Sequence, residues 1–158
     1  MEQSLTLLRR TRATILRTTA DLSEEQLHRI PEGFGNNILW NIGHLVVSQQ
    51  FLTYELAGLP KNISQDWWAR FAEGSSPKHW QGRIDTDELL ESSLSLIDKT
   101  QHDWEQGLFA DLPPSQTSFP YTTSFGGDLN SVLEALHYNN FHEGVHYGTI
   151  RALRRIVA

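Results

Sequence analysis

The residues of this chain best placed to do chemistry are the two histidines of His142-Glu143-Gly144-Val145-His146. The segment reads as helix. At ~100° per residue, histidines four apart lie roughly 40° apart around the axis and one turn apart along it. Both imidazoles then point at one spot, which is what a metal ion needs from a rigid helix. A pair at this spacing also arises by chance in a chain with 7 His. It carries weight only if the chain supplies a third ligand and a cavity.

His44 is the candidate third ligand. It falls in a helix running from about residue 36 to residue 58, whose core stripe is Ile38, Ile42, Leu45, Gln49, Leu52 and Leu56. Trp40, His44, Val47 and Phe51 form a second inner row of that helix. A lone histidine there reads as a core residue satisfied by one hydrogen bond. A facing His pair elsewhere shifts the reading to a ligand. Three imidazoles with one position left open is the catalytic pattern for zinc. An all-imidazole set also suits nickel, cobalt or iron.

His142-Glu143-x-x-His146 also matches the zinc-protease motif, in which Glu143 would be the general base. Those proteins need a ligand downstream. Only twelve residues follow His146, and none is His, Asp or Glu, so a zinc protease is not the expectation. Glu143 is instead expected to be an exposed or dimer-facing carboxylate. Asn139 lies close in angle to His146. It is either a hydrogen-bond partner behind that ligand or a buried amide satisfied by the third long helix. His137 falls on the opposite side from His146 and cannot share an ion. His79 reads as a surface residue and His102 as a flank residue.

These groups must be positioned by the rest of the chain. Its 158 residues suggest one domain spanning 1–158. A first helix over about 3–20 has Leu5, Leu8, Arg12, Ile15 and Thr19 along one side, with its arginines expected as solvated flank. Ser23-Glu24-Glu25-Gln26 is a capping box for a short helix ending at Pro31. Residues 59–84 are irregular, yet carry Trp67, Trp68, Phe71 and Trp80, so they are expected to fold back over the helices or against a second subunit. The next helix runs from Asp85 or Thr86 to about Gly107, with inner stripe Leu90, Leu94, Ile97, Gln101 and Trp104. Residues 108–127 hold three prolines and Gly126-Gly127, a long loop in which Phe119, Tyr121 and Phe125 form a lid. The last helix starts near Asp128 or Ser131 and runs almost to the end. Four amphipathic helices of about 20 residues, with few strand signals, indicate an all-α four-helix bundle with long loops.

Composition removes several classes of function. A net charge of −6 and a pI near 5.6 disfavour nucleic acid, because phosphate binding needs a basic face. With no Cys, disulfides, zinc-thiolate sites and a Cys nucleophile are excluded, and any thiol must come from outside. Arg9, Arg10 and Arg12 interrupt the N-terminus where a signal-peptide core would stand. No run approaches the ~18 apolar residues of a membrane span. A cytoplasmic protein is expected.

Two stretches together resemble a known family. Asn37-Ile38-Leu39-Trp40-Asn41-Ile42-Gly43-His44-Leu45, followed about a hundred residues later by His142-Glu143-Gly144-Val145-His146-Tyr147-Gly148 and then Leu153-Arg154-Arg155, is similar to the DinB-like superfamily. The resemblance spans nearly the whole chain. It implies an antiparallel DinB/YfiT-like bundle with a divalent metal, often zinc or nickel, on three histidines. The matching positions are His44, His142 and His146. It also implies a homodimer and a small-molecule substrate. Members with assigned activity include thiol-dependent S-transferases and a thiol-dependent isomerase, and others are assigned as hydrolases. Thr149 stands where many members carry Gln, so no role of that amide carries over. Catalytic residues beyond the ligands stay unassigned. The alternatives are a metal-binding protein without catalysis and an interaction module with satisfied core histidines.

Overall fold

A computed structural model describes residues 1–158. The chain is mostly helical, with one small antiparallel sheet. The helices are α1 (Glu2–Thr19), α2 (Glu24–His28), α3 (Ile38–Gln50), α4 (Gln65–Phe71), α5 (Thr86–Glu105) and α6 (Val132–Val157). Strands β1 (Tyr121–Thr122) and β2 (Asp128–Leu129) pair between α5 and α6. No helix is long and apolar enough to cross a membrane.

Local chemistry starts most of these elements. Ser23 and Gln26 close the expected capping box, each side chain bonding the other's backbone N–H. Asn37 caps α3 at Trp40 N, 2.7 Å away, and its amide also donates to the His28 carbonyl, tying the α2 end to the α3 start. Ser64, Asp85 and Ser131 cap α4, α5 and α6. Ser131 rather than Asp128 thus starts the last helix. The expected second helix continues past Gln50, but as a π-helical turn over Phe51–Glu55. The wider turn displaces the following side chains from the ordinary helical phase.

The apolar rows then dictate packing. α1 packs on α5 and α6, and α3 packs on the same two helices. α3 sits deepest, with every residue from Ile38 to Val47 buried. The main core gathers around it Ile15 of α1, Leu89 of α5, Phe71 of α4, and Ile150, Leu153 and Val157 of α6. Each fully buried Leu, Ile or Phe contributes about 1.5–3 kcal/mol of transfer free energy.

The segment between α3 and α5 does fold back. It contains α4 and a 3-10 turn at Pro77–His79, neither anticipated from its Gly and Pro content. Trp67, Trp68 and Trp80 pack against the main core, and Phe71 is fully buried in it. The Trp40 indole donates to Ser75 Oγ and the Trp80 indole to the Arg70 carbonyl. His79 is exposed, as expected.

Two expectations are corrected. The inner face of α5 is Leu89, Ser93, Ile97, Thr100 and Asp103, about one position from the expected stripe, and Trp104 is exposed. Two of the polar members have partners there, since Thr100 Oγ1 accepts from Gln49 and Asp103 accepts from Tyr54, while the Ser93 hydroxyl donates to the Leu90 carbonyl of its own helix. Arg12 is not solvated flank either, being 1% exposed.

Gly43 makes the closest approach in the core. A Cβ there would stand only 2.3–2.6 Å from three carbons of the Phe71 ring. Gly43→Ala should therefore cost about 1–3 kcal/mol through overpacking, read by urea unfolding. A variant as stable as wild type would contradict this approach.

Candidate metal centre

α3 and α6 bring His44, His142 and His146 together. Each offers one nitrogen, and the three nitrogens lie within 4.8 Å of one another. The ring centroids are 5.1 Å apart for His44–His142, 4.8 Å for His44–His146 and 4.5 Å for His142–His146. His137 is exposed on the other face of α6, and His102 is exposed on α5.

Two of the rings are aimed by partners behind them. His44 Nδ1 is 2.8 Å from the Phe71 carbonyl, to which it donates. His146 Nδ1 is 2.8 Å from Asn41 Oδ1. A proton on each Nδ1 leaves each Nε2 with a lone pair, and only the Ser48 hydroxyl, at 3.3 Å, reaches the His44 one. Metal-binding histidines usually have such a partner on the far nitrogen. Trp40 stacks on the His44 ring, centroids 4.7 Å apart and planes 8° apart. The third ring has no partner of this kind, for His142 Nδ1 is buried without a hydrogen bond. The donor set therefore fits a divalent cation: three imidazoles, two of them oriented, and one buried nitrogen the chain itself leaves unsatisfied.

Electrostatics keep the rings neutral. Burial is the largest cause in each case. It lowers His44, takes His142 down to about 3 and takes His146 down to about 4, with neighbouring histidines adding to the shift in the last two. A chelator-treated protein should show this as acid sensitivity. The histidines titrate near 6.5 when unfolded and far lower when folded, so below ~6.5 the unfolded chain binds more protons. Their stabilisation is present above that pH and is lost as pH falls toward the depressed values. Glu143 works the other way, because burial raises its pKa. We expect a net loss on the order of 2–3 kcal/mol between pH 7 and 4.5 by urea unfolding, well beyond that of a variant with all three histidines changed to Ala. Parallel losses in the two proteins would contradict this account.

Beneath the histidines lies a group that the helix pattern did not anticipate. Glu143 is fully buried, not exposed or dimer-facing. Its carboxylate pairs with the Arg12 guanidinium, which also donates to the carbonyls of Leu45 and Ser93 at 3.1 Å each. One arginine of α1 thus ties α3, α5 and α6 together behind the three histidines. Asn139 is also fully buried, but its amide lies against the Glu143 carboxylate and bonds neither His146 nor α5. The partner of His146 is Asn41. Its one visible signal was a polar amide one turn before His44 in an otherwise apolar run.

In front of the rings opens a cavity of about 880 Å³. Trp40, His44, His142 and His146 line its inner part. Trp68, Phe51, Tyr121 and Tyr138 form walls, and Glu73 and Phe125 stand at the exposed rim. The long loop supplies Tyr121 and Phe125 through the β1–β2 hairpin, as the expected lid requires. Phe119 instead packs with Leu129 and Val132 away from this cavity.

No curated protein matches the chain. The family model of the DinB superfamily matches residues 7–150, a span that includes all three clustered histidines. That match covers most of the sequence, and the chain belongs to the DinB superfamily.

Proposed function

We propose that this protein is a metal-dependent enzyme whose divalent ion, zinc or nickel, is held by His44, His142 and His146. The observation that carries the proposal is the convergence of three neutral imidazoles at the inner end of a cavity large enough for a small organic molecule. A divalent ion held there supplies Lewis acidity and lowers the pKa of a water or low-molecular-weight thiol, which serves hydrolysis or thiol transfer. The chain's own residues do the rest. Phe71 O and Asn41 orient two ligand rings, Trp40 fixes the His44 plane, and the aromatic walls flank the space in front of the rings where an apolar substrate body would lie. No residue of this chain could be a thiol nucleophile, so in the transfer reaction the thiol is a substrate.

The wider reading is one domain over residues 1–158, an antiparallel four-helix bundle of α1, α3, α5 and α6. It works in the cytoplasm as a homodimer, without nucleic acid or membrane partners. The test is an activity screen of the zinc-loaded and nickel-loaded protein against ester and thiol-acceptor panels, with His44→Ala as control. Turnover that requires His44 supports the proposal. Stoichiometric metal without turnover on any panel favours a non-catalytic metal-binding protein.

A further inference from the structure

The cavity in front of the histidines has an uneven distribution of charge. Apart from the three histidines and the phenols of Tyr121 and Tyr138, its only ionisable side chain is Glu73, and no Lys or Arg lines it. Glu73 stands two residues beyond the α4 end, exposed at the rim. None of the chain's ion pairs uses it. A carboxylate that faces a cavity without a cation of its own attracts a cation from outside.

The walls suit the same kind of guest. Phe51 lies 6.0 Å from Trp68 and 5.3 Å from Tyr121, so these rings form one continuous aromatic wall. Opposite, Tyr138 connects Phe125 at the rim to His142, with centroid separations of 6.4 Å in each direction. Aromatic faces carry negative potential and hold organic cations, most effectively when several surround the charge. The chain already shows this at Trp68, where Lys61 Nζ sits 4.0 Å from the ring centroid without lining the cavity. Tyr121 is kept protonated, first by burial and then by the nearby Glu73 charge, so it adds no second anion and stays a neutral wall.

We infer that the cavity takes a substrate bearing an organic cation, an alkylated ammonium or a delocalised nitrogen cation, on a flat apolar body. The inference rests on the cavity being the substrate site proposed above. The cationic group lies between Glu73 and the aromatic walls at the rim. The apolar body runs inward, and the reacting end faces the histidines. The same features disfavour substrates whose only charged groups are carboxylates or phosphates, since no Lys or Arg is there to receive them at the rim.

The probes are meta-hydroxyphenyl-trimethylammonium, its neutral twin of the same shape, meta-tert-butylphenol, and the anion meta-hydroxybenzenesulfonate. A quaternary nitrogen has no lone pair and cannot ligate a metal, and the cationic and neutral probes share the same hydroxyl. Binding is measured by calorimetry on both zinc-loaded and chelator-treated protein. The cation should bind about tenfold more tightly than its neutral twin, the combined effect of an aromatic cage and one rim carboxylate. Glu73→Gln, an exposed substitution that leaves the fold intact, should reduce that ratio to about threefold or less. Tyr121→Leu should lower it further. Equal binding of the twins overturns the inference, as does tightest binding of the sulfonate or a ratio unchanged by Glu73→Gln. If the protein binds no zinc, the metal proposal fails while the ratio on metal-free protein still decides this one.

Discussion

Arg12→Leu will destabilise the fold by about 3–5 kcal/mol, as will Glu143→Leu, while the double variant will lie close to wild type or above it. The reason is the position of the pair. Arg12 is 1% exposed and Glu143 is 0% exposed, so neither charge is solvated when its partner is removed. Glu143 without Arg12 is a buried carboxylate with only the Asn139 amide near it. Burial already raises its pKa against the opposing pull of Arg12, so losing Arg12 drives it to take up a proton. Arg12 without Glu143 keeps the Leu45 and Ser93 carbonyls but loses its only counter-charge. Removing both charges removes the desolvation cost along with the attraction. Urea unfolding of the four proteins at neutral pH gives the coupling directly. Single variants that lose less than about 1 kcal/mol would mean the pair behaves as a surface ion pair.

The second large effect is on metal affinity. His44→Ala should weaken zinc binding by more than about a hundredfold, because even the outer partners of ligating histidines are worth 10–100-fold. His137→Ala should leave affinity unchanged, since that residue is exposed on the far side of α6. Asn41→Leu should fall between the two, losing the oriented tautomer of His146 but keeping the ligand. Competition against a chromophoric chelator measures all three. If His137→Ala loses metal while His44→Ala retains it, the three-histidine assignment is wrong.

Some of the centre can be read from sequence because a metal site built on helices depends on spacing. His142 and His146 are four apart, and His44 lies on an inner row of its helix. Those facts allow a shared site, the resemblance to the DinB-like superfamily marks the same three positions, and the structure brings the rings together. The orienting partners are another matter. The Phe71 carbonyl is backbone, set by a short helix hidden in a Gly- and Pro-rich stretch, and nothing about residue type marks it. Asn41 was visible only as an amide within an apolar run. The Arg12–Glu143 pair was missed for a general reason, since charged residues are rarely buried unless paired, and the pairing joins residues 131 positions apart. The phase of α5 was misread for the converse reason. Leu90, Leu94 and Trp104 outweigh Ser93, Thr100 and Asp103 in an apolar count, although Thr100 and Asp103 have partners inside. The helices were legible where caps and apolar rows agreed. The π turn after Gln50 leaves no comparable signature.

The most direct test of the central claim is the metal content of the protein purified without a histidine tag, by elemental analysis of wild type and of the His44, His142 and His146 triple alanine variant. The account predicts about one divalent ion per wild-type chain and essentially none in the variant. Wild-type protein that holds no stoichiometric metal after exposure to zinc and nickel, or a variant that holds as much as wild type, would contradict it.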